Sequence, residues 1–149
     1  MASVYLDTSA LLKLYIEEDG ADPVTHIVED AEDNQVVILD LTKVEARSAV
    51  RRRERGGDIT GPDADRILSQ IEDDASALFL VQPSTSAVME EAARLIDRHP
   101  LRAYDALQLA GCLVVGESMP EPVTFVCADA RLCEAAVNEG LATLNPVAP

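Results

Sequence analysis

Short β-branched and aliphatic runs alternate along this chain with longer stretches of helical periodicity, and no other feature limits the fold as much. Strands are predicted at residues 3–6, 36–39, 78–82 and 123–127, with a last edge strand at 142–144. Helices are predicted at 8–16, 41–55 and 61–77, from a Ser84 or Ser86 cap to about 98, at 101–115 ending near Gly116, and at 130–138. The acidic segment 17–33 is expected to hold a turn and a short helix. The punctuation agrees: Gly56-Gly57 stops one helix, Pro62 lies in the first turn of the next, and Pro120 and Pro122 bound the fourth strand. Strands that alternate with helices build βαβ units, hence an α/β fold with a mainly parallel sheet covered on both faces. In such sheets ligands bind beyond the carboxyl ends of the strands. The polar residues that fall there decide what the chain can do.

The length of 149 residues suits one domain over 1–149, large enough for a real core. The start, MASVYLDTSA, has no basic region followed by a long apolar stretch, and the longest apolar run, residues 109–116, is far short of the roughly 20 residues that span a bilayer. A cytoplasmic protein is expected. The three cysteines, Cys112, Cys127 and Cys133, are odd in number and form no CxxC pair, so they read as small buried hydrophobes and not as a disulfide frame or zinc knuckle.

Four acids draw attention. Asp7 follows directly on the first strand and Asp129 lies two residues past Cys127, so both can stand at the carboxyl edge of the sheet. Either could instead cap the helix that follows it. Asp105 falls within the helical pattern 101–109, with Leu101 and Leu109 four residues to either side. An aspartate on an apolar helix face is costly unless something neutralises it, a salt bridge to Arg102 being the plain alternative. Glu45, between Leu41 and Ala49, shares this logic or is an ordinary surface glutamate. Carboxylates gathered together repel, on the order of 4 kcal/mol per pair at about 4 Å in an effective dielectric of about 20. A divalent cation reverses the sign. An all-oxygen site favours Mg²⁺ or Mn²⁺ over zinc, and such a site can activate water and stabilise charge developing on a phosphodiester.

At these acids the sequence resembles the PIN-domain family, and more closely its VapC-like ribonuclease toxins. The run from Val4 to Leu12 around Asp7 is similar to the family's first motif, Leu41-Thr42-Lys43-Val44-Glu45 to the second, Leu101 to Ala110 around Asp105 to the third, and Phe125 to Leu132 around Asp129 to the fourth. The resemblance implies a three-layer α/β/α sandwich with a five-stranded, mainly parallel sheet. It implies endonucleolytic hydrolysis of RNA by water activated at Mg²⁺ or Mn²⁺, held by Asp7, Glu45, Asp105 and Asp129, leaving a 5′-phosphate. It also implies a homodimer and a cognate antitoxin that blocks the site. Relatives often carry Thr or Ser where this chain has Cys127, and a thiol is the weaker hydrogen-bond partner.

The formal charge of −15, from 27 acids against 12 bases, sets a problem for any protein that holds RNA. Adaptation to a salty cytoplasm and an acidic surface with local basic patches are both open. Thr8, Ser9, Arg47, Arg51 and Arg102 are the candidate substrate contacts. Arg47, Arg51, Arg52, Arg53 and Arg55 cluster on or just after the Glu45 helix, and Arg94, Arg98, His99 and Arg102 lead into the Asp105 helix; each group can contact phosphate or pair with acids. The low aromatic content, 3%, disfavours stacking platforms for single strands. His26 and His99 lie outside the constellation, so Ser9 has no evident base for a triad. Ser at position 9 argues against an aspartyl phosphatase, and the lack of any lysine after Lys43 against a receiver domain. The remaining rival is a noncatalytic PIN-like module that binds RNA or a partner. Leu11, Leu12, Leu14, Tyr15 and Ile16 are apolar enough to serve an interface as well as the core.

Overall fold

A computed structural model describes residues 2–29 and 34–148. Five parallel strands form one sheet: β1 (Ser3–Leu6), β2 (Gln35–Leu39), β3 (Leu80–Gln82), β4 (Val123–Val126) and β5 (Ala142–Leu144), in the order β3-β2-β1-β4-β5. Val4 lies beside Val36 and Thr124, and Tyr5 beside Val37 and Phe125. Seven helices are described: α1 (Thr8–Leu12), α2 (Ala21–Glu29), α3 (Leu41–Arg55), α4 (Gly61–Ala77), α5 (Ser86–Arg98), α6 (Ala103–Ser118) and α7 (Ala130–Asn138).

Alternation along the strands sorts the core into two layers, because successive side chains point to opposite faces. Val4, Leu6, Ile38 and Val126 pack with Leu11, Val50 and Ile71, from α1, α3 and α4. Tyr5, Val37, Leu39 and Phe125 pack on the other face with Leu95, Leu109 and Leu132, from α5, α6 and α7. The result is the α/β/α sandwich expected. The rings of Tyr5 and Phe125 stack with centroids 5.7 Å apart. No helix among the described residues is long and apolar enough to cross a membrane.

Several boundaries differ from expectation, each for a local reason. α1 stops at Leu12 rather than 16, because Lys13, Leu14 and Tyr15 donate their N–H groups to carbonyls only three residues back, tightening the chain into turns. β3 starts at Leu80, since the N–H groups of Leu78 and Phe79 both still reach the Asp74 carbonyl at the end of α4. The cap of α5 is neither Ser84 nor Ser86 but Thr85, whose Oγ1 accepts from Val88 N at 3.3 Å. α6 begins at Ala103 and runs through Gly116 to Ser118. The short helix expected in 17–33 is α2, and 30–33 lie outside the described residues. Leu11, Leu12 and Ile16 are buried and are core, not interface; Leu14 and Tyr15 are partly buried against them.

Candidate active site

The chain lays β1, β2 and β3 outward on one side, then adds β4 and β5 on the other. The crevice above the carboxyl ends of β1 and β4 is therefore the switch point of the sheet, where ligands bind in this architecture. Asp7 leaves β1 at that point. It caps α1, its Oδ1 accepting from Ala10 N at 2.9 Å and from Ser9 Oγ at 2.7 Å. Ser9 Oγ in turn accepts from Ala128 N at 3.0 Å, so one hydroxyl ties the loop after β1 to the loop after β4. Asp129 caps α7, with Oδ1 accepting from Arg131 N at 2.8 Å and Leu132 N at 3.1 Å. Both aspartates thus are helix caps, and all of these bonds fall on Oδ1. Asp40, at the end of β2, is spent differently: it binds Leu41 N, Ser84 N and Ser84 Oγ, pinning the start of α3 to the start of α5.

Two helices deliver the other acids. α3 brings in Glu45 and α6 brings in Asp105. Asp105 stands in the first turn of α6, not in its interior, because the helix starts two residues later than the sequence pattern suggests. A carboxylate is welcome there, facing the positive end of the helix dipole. One turn on, Gln108 is buried, with 2% of its surface exposed, and joins four elements. Its Nε2 lies 2.8 Å from Thr42 Oγ1, 2.9 Å from Glu45 Oε1 and 3.2 Å from Thr8 Oγ1, while its Oε1 accepts from Tyr5 Oη at 3.1 Å. Sequence reasoning does not find Gln108. The one signal is a lone amide in the apolar run Ala106 to Ala110.

The four carboxyl groups sense one another. Asp7 is 5% exposed. Burial pushes its pKa up to about 7; the bonds from Ser9 and Ala10 oppose the rise, and the charges of Asp105 and Glu45 add to it. Burial also raises Glu45, against the bonds from Gln108 and Thr8 and with the charge of Asp105. Asp105 is raised by burial and by Asp129, and partly relieved by Arg102. Each acid therefore lies within electrostatic reach of another, yet no three acids, histidines or cysteines among the described residues form a ready-made cation cage.

Residues 4–138 match the PIN domain family. This chain belongs to the PIN domain family. Ribonuclease VapC35 of Mycobacterium tuberculosis is similar to this PIN domain at 32% identity over 143 residues, 96% of each chain. Among solved structures, FitAcB from Neisseria gonorrhoeae superposes with a TM-score of 0.69 at 19% identity, covering 96% of this chain and 97% of that one. A toxin–antitoxin complex from Klebsiella pneumoniae superposes with a TM-score of 0.63 at 15% identity, covering 96% and 97%. These two likenesses are of fold.

The basic residues of the PIN domain divide into occupied and free. Arg51 holds Glu54 and Asp65, both at 2.8 Å, and Arg53 holds Glu18. Arg94, Arg98 and His99 converge on Glu139, whose side chain is 6% exposed. Among the described residues Arg47, Arg52, Arg55, Arg102 and Arg131 make no ion pair and are exposed. Arg102 and Arg131 line a cleft of about 560 Å³ together with Asp105 and Asp129. Arg131 does not stand out in the sequence, because one arginine after a capping aspartate carries no pattern. Cys127, where the family resemblance leads one to expect a hydroxyl, is buried and places its Sγ 3.4 Å from the Asp129 carbonyl, so the thiol does reach the loop.

Proposed function

We propose that this PIN domain is a Mg²⁺- or Mn²⁺-dependent endoribonuclease and the toxin of a toxin–antitoxin pair. The observation that carries the proposal is Asp7: a carboxyl group buried at the switch point of the sheet, its pKa raised by burial and within electrostatic reach of Glu45 and Asp105. Mutual repulsion among buried acids is a cost to the fold unless positive charge resides between them. The donors are all oxygen, which suits a hard divalent ion that keeps part of its water shell, so a fully formed protein cage is not required. Asp7, Asp105 and Asp129, with Glu45, would hold it. When bound, such an ion supplies Lewis acidity and charge neutralisation at a phosphodiester.

The chain's own residues prepare this chemistry. Ser9 fixes Asp7, while Gln108 and Thr8 fix Glu45. The two capped aspartates keep their orientation because backbone N–H groups hold one oxygen of each. Arg102 and Arg131 flank the acids in the cleft, where they would neutralise phosphates on either side of the cleaved bond. The kinship with the ribonuclease VapC35 over nearly its whole length supports the ribonuclease part of the reading. The fold shared with a chain of the Klebsiella toxin–antitoxin complex supports the antitoxin part. A homodimer belongs to the same proposal, and light scattering that finds only a 16.0 kDa monomer counts against it.

The test is cleavage of RNA with added Mn²⁺. Asp7→Asn and Asp105→Asn are each expected to lower the rate by about 100-fold or more, and calorimetry should show a Mn²⁺ site lost with Asp105→Asn. A noncatalytic binding module would retain RNA binding in all three proteins, with no Asp105-dependent metal site.

A further inference from the structure

Two of the three cysteines meet beside the acidic cluster. Cys127 follows β4 and is fully buried, while Cys133 lies one turn into α7 and is partly exposed. Their sulfurs are 2.8 Å apart. A disulfide bond is about 2.05 Å long, so joining them asks for less than an ångström of movement. The backbone on both sides is already held: Cys127 N donates to the Leu144 carbonyl at 3.2 Å and Cys133 N to the Asp129 carbonyl at 3.0 Å. Cys133 Sγ also lies 3.3 Å from the Cys127 carbonyl. Cys112 is buried within α6, on the helix layer, with no sulfur neighbour among the described residues.

We propose that Cys127 and Cys133 form a redox-active dithiol that hydrogen peroxide closes to an intrachain disulfide, locking the loop that bears Asp129. Cys133 is the sulfur an oxidant meets first, because it alone of the pair has exposed surface. It attacks a peroxide oxygen, the O–O bond breaks, and one water leaves as Cys133 becomes a sulfenic acid. The Cys127 sulfur then displaces the hydroxyl as a second water and the S–S bond forms. Two thiols and one hydrogen peroxide give one disulfide and two waters; both sulfurs are oxidised and the peroxide is reduced. A dithiol reductant reverses the change by exchange. The ring so closed runs from Cys127 to Cys133 and contains Asp129. Closure also removes the thiol proton that Cys127 directs at the Asp129 carbonyl, so the oxidation state of the pair reaches the peptide that sets this acid.

The test treats the whole chain with stoichiometric hydrogen peroxide, then counts free thiols with a maleimide in denaturant and weighs the intact protein. The count should fall from three to one with the loss of two hydrogens, and dithiothreitol should restore it. Cys112→Ser should still close the bond, whereas Cys133→Ser and Cys127→Ala should not; circular dichroism shows that each variant is folded. Closure should raise the thermal midpoint of the metal-free protein. Three free thiols after treatment, an added-oxygen mass at Cys133, or a disulfide between two chains would overturn the proposal. An unchanged midpoint after closure would overturn its locking part.

Discussion

The charge on Asp7 works against the fold that holds it. Its pKa rises on folding from 3.8 to about 7, mainly through burial. Between those values the folded chain binds a proton that the unfolded chain has released, so the stability contributed by the protonated carboxyl is full below the unfolded value and is lost as pH rises through 7. Asp7→Asn keeps an oxygen for Ser9 and Ala10 and removes the charge. It should stabilise the metal-free protein at pH 8 by a few kcal/mol, since each tenfold change in proton affinity between the two states is about 1.4 kcal/mol. The gain should vanish near pH 4; urea titrations at the two pH values check this. Gln108→Leu has the opposite sign. It strips Tyr5 Oη of its acceptor and Thr42 and Glu45 of a shared donor. Leaving such groups unpaired costs about 1–3 kcal/mol. The variant should lose that much in denaturant unfolding and, because Glu45 is freed, cut RNA more slowly than its remaining folded fraction accounts for.

Among the elements, α6 lies close against the sheet. At Gly111 a Cβ would stand 2.6 Å from Tyr5 Oη and 2.9 Å from Leu39 Cδ1, so the helix can lie this close to the sheet only where a side chain is missing. Alanine there gains roughly 1 kcal/mol of helix propensity and meets crowding of about 1–3 kcal/mol or more. Gly111→Ala should therefore lower the denaturant midpoint, whereas an exposed helical glycine changed to alanine would raise it. The same helix shows what a sequence can and cannot reveal. α3, α4 and α7 are legible to the residue because strong punctuation bounds them: Gly56-Gly57, Pro62 behind the Thr60 cap, and the Asp129 cap with Gly140 beyond. The start of α6 is not, because Leu101 fits the helical pattern although its N–H turns back to the His99 carbonyl and the backbone of Arg102 is still extended. The pattern thus makes Asp105 a helix-interior acid when it is a first-turn acid. Its place near Asp7 and Asp129 depends on order along the chain, which is legible. Gln108 depends on partners 63 to 103 residues away, which local pattern does not show.

For the whole molecule the dominant fact is a charge of −15. Several arginines are already consumed in ion pairs, so most of the surplus acids repel one another across the surface. Screening should relieve this: the unfolding midpoint should rise by several degrees as KCl is added from low to molar concentration, where the Debye length falls to about 3 Å. A chain fully folded in dilute buffer, with a midpoint indifferent to salt, would end the idea that it is adapted to a saline interior. The strand order carries a different consequence, one of timing. β1 is emitted first but occupies the middle, and its second neighbour, β4, comes only at residues 123–126. A chain still emerging from the ribosome can fold α3 and α4 against β1 and β2, yet it lacks Asp105, Ala128 and Asp129. Asp7 and Glu45 thus gain their acidic neighbours on α6 and after β4 only once residues 105–129 have been made, so the cluster is a late product of folding along the chain.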